Sequence, residues 1–125
     1  MVKAIVWVLL NLVILGLGAL AYAQDQAQGK KLYASYCVGC HGDQGKGDGP
    51  AAAALPVKPA NHTDGKVMNQ LPDKFLMEII SKGGGAVGKS PIMPAWGGAL
   101  NDTQIRDIIA YVRSLAEPPY QPGNK

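Results

Sequence analysis

Two cysteines are all that this 125-residue chain carries, and they stand close together as Cys37 and Cys40. With no third cysteine, and with His41 and His62 as the only histidines, a structural zinc centre lacks its second ligand pair. A disulfide between the two would close a tiny strained loop and stabilise little. Phenylalanine is scarcer still, with Phe75 alone, so the apolar material beyond the amino-terminal run is thin for a self-sufficient core. Basic runs longer than two residues are absent and the formal charge is only +3, which excludes a nucleic-acid footprint. No G-K-[ST] or G-x-G-x-x-G follows a strand, so the glycines of Gly42–Pro50 are not a phosphate loop. Asp43 and Asp48 in that segment lack the spacing and the closing glutamate of a calcium loop.

What is present is Cys37-Val38-Gly39-Cys40-His41, the C-x-x-C-H attachment signal of a c-type haem. One helical turn sets both sulfurs along one edge of a porphyrin and swings the next imidazole beneath the metal. Cys37 and Cys40 are thus expected to bind haem c covalently, and His41 to be an axial iron ligand. A thioredoxin-like C-x-x-C would need a βαβ context, whereas these flanks read as helix on one side and Gly/Asp loop on the other. A buried porphyrin would also supply the hydrophobic mass that the composition lacks.

Lys3, the apolar run Ala4 to Leu20 and then Ala21-Tyr22-Ala23 read as a secretory signal over residues 1–23, with retention as a membrane anchor the open alternative. Asp25 and Gln28 form a capping box for a first helix beginning almost at the Ala23-Gln24 bond, which favours cleavage. Either route exports the haem domain, expected over residues 24–117, to the periplasm.

Helical periodicity runs from Asp25 to Tyr36, and Gly29 within it predicts a close crossing by another helix, with Tyr111 packed over it. Gly42–Pro50 is expected to wrap the ring, with a nearby carbonyl accepting the free N–H of His41. Ala51–Leu55 is read as a helical turn, Pro56–Asp64 as irregular coil and His62 as part of a polar surface loop. A second helix spans Asp73–Lys82, and Gly83–Ser90 is read as flexible. Asn101 and Gln104 form a capping box for a last helix, Asp102 to Ala116, buried through Ile105, Ile108, Ile109, Val112 and Leu115. Residues 118–125 are expected to form a flexible tail.

The second iron ligand is expected from sulfur. Pro91 and Pro94 flank Met93 and present its thioether from a constrained loop, as an axial ligand requires. Met68, Met77 and His62 are the competitors, Met77 lying in a helix where packing is the commoner fate of methionine.

Taken together, Gly29-x-x-x-Tyr33, Cys37-Val38-Gly39-Cys40-His41-Gly42, Gly47-Asp48-Gly49-Pro50, Met93-Pro94-Ala95-Trp96 and Ile108-Ile109-Ala110-Tyr111-Val112 resemble a class I c-type cytochrome with a single haem. The resemblance implies an all-α fold, with crossed first and last helices and the haem held between His41 and Met93. It makes Trp96 a candidate contact for a haem propionate and places Tyr33 in the helix crossing. Pro72 departs from the serine or threonine cap common in related chains.

The expected function is one-electron transfer between protein redox donors and acceptors that dock transiently, without catalysis of its own, since two filled axial sites leave no open position. The alternatives are a haem subunit held in a larger membrane-bound oxidoreductase, or a gas- or peroxide-reactive haem protein if Met93 does not ligate. A non-haem C-x-x-C redox protein is a further rival.

Overall fold

Asp25 starts the first helix, α1 (Gln26–Tyr36), by accepting a hydrogen bond from the Gln28 amide at 2.9 Å. The computed structural model describes residues 24–123, so the amino-terminal signal or anchor lies outside the described residues. The reciprocal half of the expected capping box is replaced by a long-range bond. The Asp25 amide donates to the Asp107 carboxylate at 2.9 Å, tying the start of α1 to the far end of the chain.

The remaining helices are α2 (Val38–His41), α3 (Gly65–Met68), α4 (Asp73–Lys82) and α5 (Asp102–Leu115), with 3₁₀ turns at Ala52–Ala54 and Gly84–Val87. No strand occurs among the described residues, only one isolated parallel bridge between Asp64 and Glu117. α5 has the full Asn101/Gln104 capping box, and α4 starts at Pro72 with no side-chain cap, its first-turn Asp73 favouring the dipole instead.

The core is the face of α5. Ile105, Ile108 and Ile109 are almost wholly buried, packed with Tyr33, Met68, Leu76, Ile80 and Val112. Burying each such aliphatic side chain contributes roughly 1.5–3 kcal/mol. α1 crosses α5 where both need close approach. A Cβ on Gly29 would fall on the Asp107 carbonyl, with the Ile108 amide nitrogen 3.1 Å away. The expected cover from Tyr111 is therefore corrected: backbone fills the space above Gly29, and Tyr111 packs edge-on against Tyr33, with ring centroids 5.1 Å apart.

Two segments are more ordered than their composition suggests. Gly83 and Gly84 are buried, and the Gly84 amide donates to the Met93 carbonyl, so the stretch expected to be flexible is pinned. The tail starts anchored too. Asn69 donates to the Pro118 carbonyl, the Glu117 amide donates to Thr63, and the Tyr120 ring lies 4.0 Å from the Arg113 guanidinium carbon. Arg113 is buried, donating to the Met68 and Leu71 carbonyls and to the Asp73 carboxylate, which joins α3, α4 and α5 through one cation.

Gly29→Ala should destabilise the fold despite alanine's better helix propensity, because the atom it meets is backbone. Overpacking of this kind costs about 1–3 kcal/mol. The melting midpoint should fall by roughly 4–8 °C per kcal/mol for a domain of this size. An unchanged midpoint would mean that the helices do not cross at this residue.

Candidate haem site

Cys37 ends α1 and begins α2, its amide donating to the Tyr33 carbonyl at 2.8 Å, so the C-x-x-C-H segment continues the first helix as one further turn. Both thiols are free and half-buried. Burial, and then the neighbouring Cys40, pushes the Cys37 thiol up to about 12. The turn is held from the loop side: the Gly49 amide donates to the Cys40 carbonyl at 3.1 Å, and Ala51 to Gly39 at 2.9 Å. A side chain at Gly49 would run into the Val38 and Gly39 carbonyls, so the loop can close over α2 only with glycine there.

His41 is oriented by a specific bond. Its Nδ1 lies 3.0 Å from the Ala60 carbonyl. A carbonyl can only accept, so Nδ1 carries the proton and Nε2 keeps its lone pair for a metal. A backbone acceptor was expected within or near Gly42–Pro50; the acceptor lies further on, just after Pro59. Burial lowers the His41 pKa, against the opposing pull of the Ala60 bond, which favours the neutral form that ligates.

His62 is the residue that sequence reasoning misplaced. Instead of standing in a polar surface loop, it stacks on His41, with ring centroids 4.2 Å apart and planes inclined by 19°. Its Nδ1 is 3.1 Å from the Tyr33 hydroxyl oxygen, and its amide donates to the Gly45 carbonyl at 2.6 Å. Burial pushes His62 down to about 3. Burial also raises the Tyr33 pKa, the first of several causes, so both partners are neutral across the physiological range. No local signal marked it, because the Ala60 carbonyl two residues earlier is seen to orient His41 only once the chain is folded.

Of the sulfur candidates, Met68 is 3% exposed and packed in the core, which removes it. Met77 and Met93 are both half-buried against that core. Met93 is distinguished by its loop: its carbonyl accepts from Gly84 at 3.0 Å, its amide donates to Ser90, and the Trp96 and Gly97 amides donate to Ile80 and Ser81. The segment is therefore fastened to α4 and to the turn after it from Met93 onward. Trp96 packs edge-on with Tyr36, with centroids 5.1 Å apart.

The donor set fits a haem c: two uncrosslinked thiols, an imidazole with its outer nitrogen free, and a tethered thioether. The apolar side chains Leu71, Phe75, Met77, Ile79 and Val38 are only half-buried here, which suits a hydrophobic macrocycle.

The family described as cytochrome c oxidase, cbb3-type, subunit III, matches residues 24–112. The chain belongs to this cytochrome family. It is 36% identical to the cbb3-type cytochrome c oxidase subunit FixP of Bradyrhizobium diazoefficiens over 91 residues, 73% of this chain and 28% of that protein. It therefore spans little more than a quarter of that relative's length. It is also 31% identical to cytochrome c6 of a Picosynechococcus species over 104 residues, covering 80% of this chain and 81% of the relative. Among solved structures, the KustC0563 c-type cytochrome superposes with a TM-score of 0.58 at 22% identity, over 70% of this chain and 96% of that one. The cytochrome thus has the all-α cytochrome c fold and carries one covalently attached haem c.

The His62 shift has a signed consequence for the cytochrome. Below its ordinary value of 6.5, the unfolded imidazole takes up a proton that the folded one refuses until about pH 3. Stability should be unaffected by this group above pH 6.5 and should fall as pH drops from 6.5 towards 3. The melting midpoint of His62→Leu should depend less steeply on pH over that window than the wild type; equal slopes would contradict it.

Proposed function

We propose that this cytochrome is an exported, periplasmic one-electron carrier in which Cys37 and Cys40 hold the haem, and His41 and Met93 occupy both axial positions. The observation that carries the reading is the Nδ1 bond from His41 to Ala60, which leaves Nε2 free beside two uncrosslinked thiols. Bound haem c supplies a one-electron iron couple. The chain's own residues hold the ligands in place. The Ala60 bond and the Met93 clamp pre-organise the two donors, so little ordering remains to be done on ligation. The half-buried side chains of α4 and of the Met93 loop would cover apolar surface of the bound ring. Trp96 is the candidate contact for a propionate. With both axial positions filled from within the chain, no site is left for substrate, so catalysis is not part of the reading.

The described residues include no helix long and apolar enough to cross a membrane. Redox partners would meet the domain by weak, fast, salt-sensitive docking. A second reading, a haem subunit held in a membrane oxidoreductase, is favoured by the cbb3-type relatives. A membrane-fraction blot separates the two, because the carrier should be released in the soluble periplasmic fraction.

Met93→Ala should lower the reduction potential, since thioether ligation raises it, while Met77→Ala should leave it in place. The reverse pattern would move the ligand to Met77. Cys37→Ala combined with Cys40→Ala should abolish haem staining in denaturing gels; retained stain would remove the attachment role.

A further inference from the structure

Hydrogen bonding alone does not fix the proximal imidazole. The Ala60 carbonyl fixes where His41 Nδ1 sits, but one bond to one acceptor leaves the ring free to tilt about that point. The face of the ring is what remains to be held, and His62 lies against it, nearly parallel, with centroids 4.2 Å apart. We infer that His62 is a positioning residue that sets the plane of the His41 imidazole, held in turn by Tyr33 from the α1/α5 crossing.

Each link in this line is itself constrained. The His62 backbone is tied to the Gly45 carbonyl at 2.6 Å, so its ring cannot slide along the loop. Its Nδ1 meets the Tyr33 hydroxyl at 3.1 Å, and the two rings stand edge to face with centroids 5.8 Å apart, which stops the imidazole from rotating. Tyr33 is 1% exposed and is braced on its other side by Tyr111. Tyr111 lies on α5 and Tyr33 one turn after Gly29 on α1, so the orientation of the ligand is referred to the α1/α5 crossing. Histidine suits the position because a flat ring can stack on His41 while its edge bonds a buried hydroxyl. An aliphatic residue could fill the same space but would offer neither a parallel face nor an edge acceptor or donor.

The inference rests on His41 being the proximal iron ligand and goes beyond that assignment. Its readout is the ferric holoprotein's magnetic spectrum. The orientation of an axial imidazole plane selects which iron orbital holds the unpaired electron, and so sets the pattern of paramagnetic haem-methyl shifts and the anisotropy of the electron spin resonance.

The experiment compares these spectra for the wild-type holoprotein, His62→Leu, His62→Phe, Tyr33→Phe and the double variant Tyr33→Phe/His62→Leu. His62→Leu should retain covalent haem and the methionine-to-iron charge-transfer band while its methyl-shift pattern changes. Tyr33→Phe, which removes one hydroxyl, should move the pattern part of the way in the same direction. His62→Phe, which can stack but cannot bond Tyr33, should resemble Tyr33→Phe. The double variant should go no further than His62→Leu alone, because the two residues act through one line of contacts. A His62→Leu spectrum superimposable on the wild type would reduce His62 to packing and overturn the inference. Should His62→Leu fail to mature, Tyr33→Phe decides alone, and an unchanged methyl pattern there overturns it. A wild-type protein without a low-spin histidine–methionine signature would instead show that the ligand assignment itself is wrong, and the inference would fall with it.

Discussion

The contact of α1 on α5 is the constraint on which the other parts depend. It admits no side chain at Gly29, and it brings the Asp107 backbone over α1 while the Asp107 carboxylate receives the Asp25 amide. Those two contacts set the depth and the start of α1 together. Because α1 continues directly into the C-x-x-C-H turn through the Cys37 amide, the position of both thiols and of His41 follows from the crossing. A small domain with one phenylalanine has few ways to place a ligand rigidly, and this one uses backbone contact between helices rather than bulk.

From the same crossing a line of aromatic contacts, with one hydrogen bond, runs outward through Tyr111, Tyr33 and His62 to His41. The Met93 segment is held by backbone bonds to Ile80 and Ser81 of α4 and to Gly84 in the turn that follows it. α4 is joined to α5 and α3 by buried Arg113, whose partners are two carbonyls and Asp73. The two candidate ligands thus stand on separate supports that share α5. Rigid, separate supports suit the proposed carrier, whose two ligands would need to hold their positions as the iron changes charge.

Much of this was legible in the sequence because local chemistry decides it. The C-x-x-C-H motif, the Asn101/Gln104 box and the isoleucine stripe of α5 each act over a few residues, and the helices Asp73–Lys82 and Asp102–Leu115 lie close to where their patterns place them. Gly29 was legible as a crossing point, though not the atom that crosses it. What escaped were partnerships across the chain. His62 has polar neighbours in sequence and apolar or aromatic ones in space, and no periodicity marks a coil residue that folds back by 21 positions onto His41. Gly83–Gly84 has the composition of a flexible loop, yet its small size is what lets the Met93 carbonyl come within hydrogen-bonding range. The anchoring of Pro118 and Tyr120 depends on Asn69 and Arg113, which carry no local sign of it.

The central claim is that this chain fills both axial positions of its haem. The most direct measurement is the visible spectrum of the reduced holoprotein, matured with covalent haem, before and after addition of carbon monoxide. The account predicts a low-spin c-type spectrum that the gas leaves unaltered. Ready binding of carbon monoxide would contradict it, because the sixth position would then be open or labile and the carrier reading would give way to a gas- or peroxide-reactive haem protein.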